Sequence, residues 1–355
     1  MAIIDKGVRA DRRPLRMIQF GLGAAGSEIL RLARAKKVEL VGAVDSDPAK
    51  IGRDAGEITG IGRLGVKVEK PGSFFQPGVA DIVMHATRYD PAATTEDLVG
   101  FLRAGINAIT ISGISFLAGE HPALADRLDQ AARAGGATVV GTGLNPGFLQ
   151  DVVPILMTSG CESIRKITGI RVTDFSPWGP EVMHHYGIGL TPHEFELQVA
   201  TGKIGLHAEI TQSISMIAYA LGGIAEAFEH QRVSIVTSIK RAAPAVTIDA
   251  GLVCGFRHIA TARCSTGPEI RLELIGVVHP DPASDGVETG TKVIIDGLPD
   301  VEVTIKGELN AARGVYAATA ARAVNAIPHV VAARPGLTSL ADLPVMAWWD
   351  GNSRI

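Results

Sequence analysis

The sequence predicts an α/β protein: a doubly wound parallel sheet at the N-terminus, then an α+β domain with an open mixed or antiparallel sheet. Three observations predict it. Between Leu15 and Phe148, short apolar runs alternate with helical stretches, the pattern of a parallel sheet covered on both faces. After Phe148, strand-like runs follow one another with few helices between them, the pattern of a separate sheet. The first apolar run also leads straight into a glycine-rich turn, Phe20-Gly-Leu-Gly-Ala-Ala-Gly26.

That turn organises the first domain. Gly21, Gly23 and Gly26 spell G-x-G-x-x-G between a strand, Met17 to Phe20, and a helix, Ala24 to Ala35. Gly21 permits the tight turn, Gly23 leaves no side chain between backbone and pyrophosphate, and Gly26 lets helix and strand pack closely. Leu22, Ala24 and Ala25 complete the loop, whose free N–H groups at the helix start suit phosphate. A second apolar run, Val38 to Val44, ends in Asp45, nineteen residues after Gly26. An acid there accepts hydrogen bonds from a ribose 2′-hydroxyl. The reading is a Rossmann domain that binds NAD. Ser46 and Arg53 stand near enough to soften the repulsion of a 2′-phosphate, so NADP stays possible.

The remaining elements follow in order. Ser46 to Gly65 is polar and glycine-rich, with a short helix after Pro48, and Val66 to Val68 is a third strand. Asp81 to Thr87 and Ala108 to Ser112 are strands around a helix at Thr94 to Ala104. Pro122 to Ala134 places Leu124, Leu128, Ala131 and Ala132 on one helical face. Ala137 to Gly141 is the next strand. Ligands of such sheets lie outside the strands' C-terminal ends, which points to Asp45, Thr87, Ser112 and Thr142 to Asn145. Thr87 either touches the nicotinamide ribose or caps its strand. Asn145 either holds the nicotinamide amide or stabilises its own turn.

In the second half, Leu149 to Thr158 reads as a helix, Ile164 to Asp174 as a strand and Phe175 to Leu190 as a loop. Thr191-Pro-His-Glu194 starts a helix, and Ser213 to Ala227 is an amphipathic one. Strands are expected at Val233 to Lys240, Thr247 to Ile248, Gly251 to Arg263, Ile270 to Pro280, Thr291 to Ile295 and Val301 to Lys306. Tyr316 to Ala332 is a late helix.

Composition narrows the classes. The chain has 355 residues, 46% hydrophobic and 20% charged, with a net charge of −3. That is ample for a packed core, and no basic face advertises nucleic acid or an acidic membrane. Met1 to Leu15 contains no long apolar segment, so neither signal peptide nor membrane span is expected. Cys161, Cys254 and Cys264 form no CxxC pair, which suits a reducing cytoplasm and small buried apolar roles.

Several separated stretches carry a family resemblance. They are Val44-Asp-Ser-Asp-Pro-Ala-Lys-Ile-Gly-Arg-Asp-Ala-Gly-Glu57, Gly141-Thr-Gly-Leu-Asn-Pro-Gly-Phe148, Gly187-Ile-Gly-Leu-Thr191, Thr319 to Pro328, Arg334-Pro-Gly-Leu-Thr338 and Asp342-Leu-Pro344. Together they resemble the amine dehydrogenase and 2,4-diaminopentanoate dehydrogenase family, relatives of dihydrodipicolinate reductase, over nearly the whole chain after Leu15. The resemblance implies a Rossmann domain built from residues 15–148 with 313–355. It also implies an inserted domain, 149–312, for substrate binding and dimerisation. A nicotinamide cofactor, a homodimer and reversible oxidation of a C–NH₂ carbon to a carbonyl, with release of ammonia, are implied likewise. One departure stands out. The family's pair of glutamates after the fifth strand, the first of them catalytic, matches Gly113 and Ile114 here. That leaves three readings: an amine dehydrogenase, a carbonyl, alcohol or imine oxidoreductase on the same scaffold, or a dinucleotide-binding homologue without turnover. If the gap matters, restoring an acid by Gly113→Glu raises ammonia-dependent turnover.

Proton transfer needs a group that titrates near neutral pH. The candidates are His184, His185, Tyr186 and His207. In an extended loop His184 and His185 point oppositely, so at most one faces the cleft. Tyr186 can donate to a carbonyl oxygen. His207 coincides with a histidine of the family's Gly-His-Val-Gly-like segment. With Trp178 the first three suggest a substrate wall. As metal ligands the two histidines lack a third partner at any motif spacing, since Asp174 and Glu181 offer only proximity. Asn310, Arg313, Thr319 and Asn325 read as packing, capping or surface groups, Arg313 with the option of binding an anionic substrate.

Overall fold

A computed structural model describes residues 13–73, 76–205, 209–309 and 314–352. They fall into two compact units, divided after Gly147 and again after Val315. The first opens with β1 (Arg16–Phe20), α1 (Ala24–Ala35), β2 (Glu39–Val44), α2 (Ala55–Ile58) and β3 (Val68–Glu69). It continues with β4 (Ile82–His85), α3 (Pro91–Arg103), β5 (Asn107–Thr110), α4 (Pro122–Gly135) and β6 (Thr138–Gly141). The apolar runs form strands because both sheet faces are covered, and every residue of β4 and β6 is buried. The helix expected from Thr94 starts at Pro91. Asp90 caps it by accepting from the Ala92 and Ala93 N–H groups, and proline suits the first helical position.

The second unit runs α5 (Val152–Thr158), β7 (Ser163–Asp174), α6 (Pro180–His185), α7 (Pro192–Ala200), α8 (Ile210–Ala220) and β8 (Ala225–Val236). Then come β9 (Arg241–Ala243), β10 (Val246–Ile248), β11 (Val253–Cys264), β12 (Glu269–Val277), α9 (Pro282–Asp285), β13 (Gly290–Leu298) and β14 (Val301–Lys306). Six strands form a mixed sheet in the order β14-β13-β7-β12-β11-β8. Only the β7–β12 pairing is parallel among its described ladders. Ile167, Ala260, Ile270 and Leu272 from the strands pack with Ile210, Ile214 and Ile217 of α8. A second cluster gathers Phe175, Met183, Phe195, Phe256 and Leu274. Beside it, Arg241 and Asp285 form an ion pair at 2.6 Å with side chains 4% and 3% exposed.

Two expectations are corrected here. Phe175 to Leu190 is not all loop, since Pro180 starts the short helix α6. The helix expected from Ser213 to Ala227 stops at Ala220, and Ala225 already belongs to β8. Gly222 and Gly223 break it, Gly222 with φ +76°. Of the cysteines, Cys254 and Cys264 are buried, whereas Cys161 is partly exposed.

The chain re-enters the first unit with α10 (Ala317–Ala332) and β15 (Gly336–Leu337). The completed sheet has the order β15-β6-β5-β4-β1-β2-β3, with parallel pairing throughout. From β1 the chain steps outward to β3, then returns past β1 to β4. The order therefore reverses between β1 and β4, and the crevice beyond their C-terminal ends is where such sheets take ligands.

His329, on α10, is 5% exposed, and neither ring nitrogen has a hydrogen-bond partner among the described residues. Burial lowers its pKa, with a smaller push from Arg322. The unfolded chain, whose histidine titrates near ~6.5, therefore takes up the proton first. The stability that His329 contributes is complete above that pH and is lost as pH falls toward the folded value. Urea midpoints at pH 7.5 and 5.5 should differ less in His329→Leu than in the parent. Equal differences would contradict this assignment.

Candidate functional site

The turn after β1 uses its three glycines for three separate reasons. Gly21 has φ +89°, and a Cβ there would run into the Ala86 carbonyl oxygen. The loops after β1 and β4 thus touch at the switch in strand order. A Cβ on Gly26 would run into the Gly21 carbonyl oxygen, so helix and turn pack without room for a methyl. At Gly23 a Cβ would meet nothing within 4 Å. Gly23 is the N-cap of α1 and is exposed, as is Ala24, with Ala25 half-buried. No side chain caps this helix and no acid stands in its first turn. Open space lies at an uncapped helix N-terminus, which is what a pyrophosphate requires. A dinucleotide therefore fits the residues present.

Asp45, just past β2, is 7% exposed. Its Oδ2 accepts from the Leu22 N–H at 2.8 Å and from Lys50 Nζ at 3.0 Å, and its Oδ1 from the Asp47 N–H at 2.9 Å. Burial alone would raise its pKa. The bonds from Asp47, Leu22 and Lys50 outweigh that and hold it below the usual carboxylate range. The acid is thus ionised and fixed to the glycine loop itself. Ser46 and Arg53 beside it are exposed.

The ends of β4 and β5 carry a cluster that sequence reasoning missed. His85, fully buried, places Nδ1 2.9 Å from Thr110 Oγ1 and Nε2 3.3 Å from Asp97 Oδ2. A carboxylate only accepts, so the contact with Asp97 requires an N–H at Nε2, and in the neutral ring Nδ1 then accepts from the Thr110 hydroxyl. Thr87 Oγ1 lies 3.2 Å from the same Nε2. The Thr87 N–H donates to Ser112 Oγ at 3.0 Å, and the Ser112 N–H donates to Thr110 Oγ1 at 3.0 Å. The two strand ends are laced into one rigid lip around Thr87. At the end of β6, Thr142 Oγ1 is buried without a partner among the described residues, and half-buried Asn145 follows, joined to Pro146 by a cis peptide.

Gly113 has φ +79° and Ile114 is 2% exposed in the core of the first unit. Neither position accepts a glutamate freely. In Gly113→Glu the side chain would have to hold a left-handed backbone, a cost of about 1–2 kcal/mol. The folding and NADH binding of Gly113→Glu therefore have to be established before its ammonia-dependent turnover is read.

Of the proposed acid–base residues, three stand together at the end of α6. His184 and His185 end α6 and are exposed. On a helix neighbours diverge by about 100°, so they do not alternate as in an extended loop. Tyr186 stacks on Phe256, with rings 4.5 Å apart and 5° from parallel. Burial pushes its phenol up to about 12, which leaves a hydrogen-bond donor that does not titrate near neutral pH. His207, Asn310 and Arg313 lie outside the described residues. Trp178 lines a cavity of about 400 Å³ in the second unit, together with Asp174, Pro177, Pro244, Glu308 and Val315.

Comparison with known proteins decides the family. Residues 16–111 match the N-terminal domain of dihydrodipicolinate reductase, and residues 148–355 match the C-terminal domain of 2,4-diaminopentanoate dehydrogenase. A 2,4-diaminopentanoate dehydrogenase from Acetoanaerobium sticklandii is 32% identical over 93% of this chain and 94% of that protein. The chain belongs to the 2,4-diaminopentanoate dehydrogenase family. Family membership makes it an NAD(P)-dependent oxidoreductase. An amine dehydrogenase from Streptomyces virginiae is 27% identical over 92% of this chain and 96% of its own. The solved structure of amine dehydrogenase from Mycobacterium smegmatis superposes with a TM-score of 0.78 at 25% identity, covering 95% of this chain and 98% of that one. No described helix is long and apolar enough to cross a membrane.

Proposed function

We propose that this chain catalyses the reversible oxidative deamination of a primary amine with NAD. The balance is R₂CH–NH₃⁺ + NAD⁺ + H₂O → R₂C=O + NADH + NH₄⁺ + H⁺. The observation that carries the cofactor half is the open, uncapped helix start at Gly23. The amine half rests on the two relatives named above. Bound NAD supplies the hydride acceptor. Gly21 to Gly26 receive the pyrophosphate, Ala24 and Ala25 offering first-turn N–H groups. Asp45 receives the adenosine ribose and disfavours a 2′-phosphate, partly offset by Lys50. Thr87, held by Ser112, and Asn145 border the nicotinamide.

His184, His185 and Tyr186 stay as proposed wall residues of the inserted domain, and His207 as a proton carrier. The chain forms a homodimer through that domain. Edge strand β8 supports this reading, because residues 226–233 are exposed and include Phe228 and Val233. Such an edge invites pairing with a second copy. Cysteines that form no disulfide suit the cytoplasm.

The test is NADH oxidation by the purified chain over a panel of ketones, with and without ammonium chloride. Turnover should require ammonia and should be faster with NADH than with NADPH. Ammonia-independent turnover would transfer the chemistry to a carbonyl, and no turnover on any panel would defeat the reading.

A further inference from the structure

Inside the first unit, a buried ring fixes which way the Thr87 hydroxyl donates. Thr87 is half-buried, two residues beyond β4. Its Cγ2 stands 3.3 Å from where a Cβ on Gly21 would lie, so it borders the glycine turn. Ser112 holds its backbone on both sides, Oγ accepting from the Thr87 N–H at 3.0 Å and donating to the Thr87 carbonyl at 3.3 Å. The Thr87 side chain answers to His85, which is fully buried with its ring edge-on to Phe20, centroids 5.0 Å apart. His85 Nε2 lies 3.2 Å from Thr87 Oγ1 and 3.3 Å from Asp97 Oδ2. A carboxylate supplies no proton, so this contact needs an N–H at Nε2, in the neutral ring and in the imidazolium alike. On the other side Nδ1 lies 2.9 Å from Thr110 Oγ1, which accepts the Ser112 N–H at 3.0 Å and keeps its own proton to donate. Both neighbours are therefore satisfied by the same neutral form. With a donor at Nε2, Thr87 Oγ1 accepts from the ring, and its own proton is donated elsewhere. The opposite tautomer would set two acceptors face to face at Asp97 and draw the Thr87 proton inward.

We propose that His85 and Asp97 are positioning residues for the dinucleotide. They keep the Thr87 hydroxyl a donor, turned from the ring to an acceptor oxygen of the nicotinamide ribose. The ligand is the cofactor of the function proposed above, on which this assignment rests. Both residues act at one remove: His85 through Thr87, and Asp97, reaching over from α3, through His85. A hydroxyl whose direction is set before the ligand arrives loses less freedom on binding. Accepting from the ring also makes it the stronger donor.

Fluorescence titration of the full chain with NADH, which needs no turnover, tests this on Thr87→Val, Asp97→Leu, the two together, His85→Gln and His85→Leu. Each variant is checked for fold by circular dichroism. Thr87→Val should weaken NADH about 10-fold, and Asp97→Leu about 3- to 10-fold. The double variant should bind no more weakly than Thr87→Val alone, because Asp97 works only through that hydroxyl. An Asp97 that served the fold alone would add its own loss. His85→Gln keeps an N–H donor near the place of Nε2 and should stay within about 3-fold of the parent. His85→Leu should lose as much as Thr87→Val, and if it fails to fold, the Asp97 cycle still decides. ¹⁵N spectra of the cofactor-free chain, with the His85 signals assigned by their loss in His85→Gln, should show Nε2 protonated. A bare Nε2, additive losses in the double variant, or NADH bound by Asp97→Leu as by the parent overturns the proposal. Gly23→Val separates it from the cofactor site itself. NADH lost in Gly23→Val but unaffected by Thr87→Val defeats the positioning and leaves the site standing. NADH bound normally by Gly23→Val defeats both.

Discussion

A Gly23→Val variant is expected to fold normally and to lose NADH. The backbone at Gly23 has φ −77° and ψ −169°, an extended conformation that valine adopts without strain. Its Cβ would meet nothing within 4 Å among the described residues. The two methyl groups instead occupy the space that a pyrophosphate needs against the loop. Losing glycine as N-cap costs little, of order 1 kcal/mol or less. Fluorescence titration should show NADH affinity reduced about 100-fold or more, with the melting temperature within a few degrees of the parent. The neighbouring Gly26→Ala makes the contrast, because its methyl is forced into the Gly21 carbonyl oxygen and both fold and binding should suffer. NADH bound normally by Gly23→Val would show that this loop is not the cofactor site.

Asp285→Ala is expected to destabilise the second unit by about 3–5 kcal/mol. Arg241 donates through Nη1 and Nη2 to the two Asp285 oxygens at 2.8 and 2.6 Å. It also donates to Thr237 Oγ1 and to the carbonyls of Val278 and His279. Removing the carboxylate leaves those neutral acceptors and a buried guanidinium that cannot lose its proton. Replacing both partners, as Arg241→Met with Asp285→Leu, should recover much of the loss, since the unpaired charge goes with them. Denaturant melts of the parent and the two variants decide the matter. A cost below about 1 kcal/mol for Asp285→Ala would mean that water reaches the guanidinium.

Much of the first unit was legible because buried parallel strands are apolar throughout and stand out between helices. The glycine fingerprint and Asp45 were legible because each residue type answers a local backbone or charge requirement. The start of α3 was missed, although Asp90-Pro91 carries its capping signal, because Pro91 reads equally as a break. β8 was misplaced for a physical reason. An edge strand with its side chains in water shows no alternation, so Ala225 to Ala227 read as the end of the preceding helix and the strand was expected only from Val233. His85 escaped notice because it stands in the run Ile-Val-Met-His85, where a histidine looks like a core residue. Its surroundings come from Asp97, Thr110 and Thr87, twelve, twenty-five and two residues on, brought together by two parallel strands and helix α3. The cavity was invisible for a stronger version of the same cause. Asp174, Pro244 and Glu308 are far apart in the chain, and only the sheet of the second unit gathers them.

The cofactor unit is assembled from two stretches of chain, and this dictates the order in which a ribosome can finish it. Strands β1 to β6 emerge first, but β6 then presents a bare edge. Its partner, β15, donates from Gly336 to Ala137 and from Thr338 to Val139 only much later. α10, with Ala320, Val324 and Ile327 buried against this unit, is equally late. So is the link between Lys36 and the Trp349 carbonyl. Between the two stretches the whole insertion must be translated, a wait on the order of ten seconds or more at ~5–20 residues per second. The inserted domain is therefore complete in the nascent chain while the nucleotide-binding half is still an unfinished sheet. That half closes only once β15 has been translated, so competence to take up cofactor waits for the whole insertion.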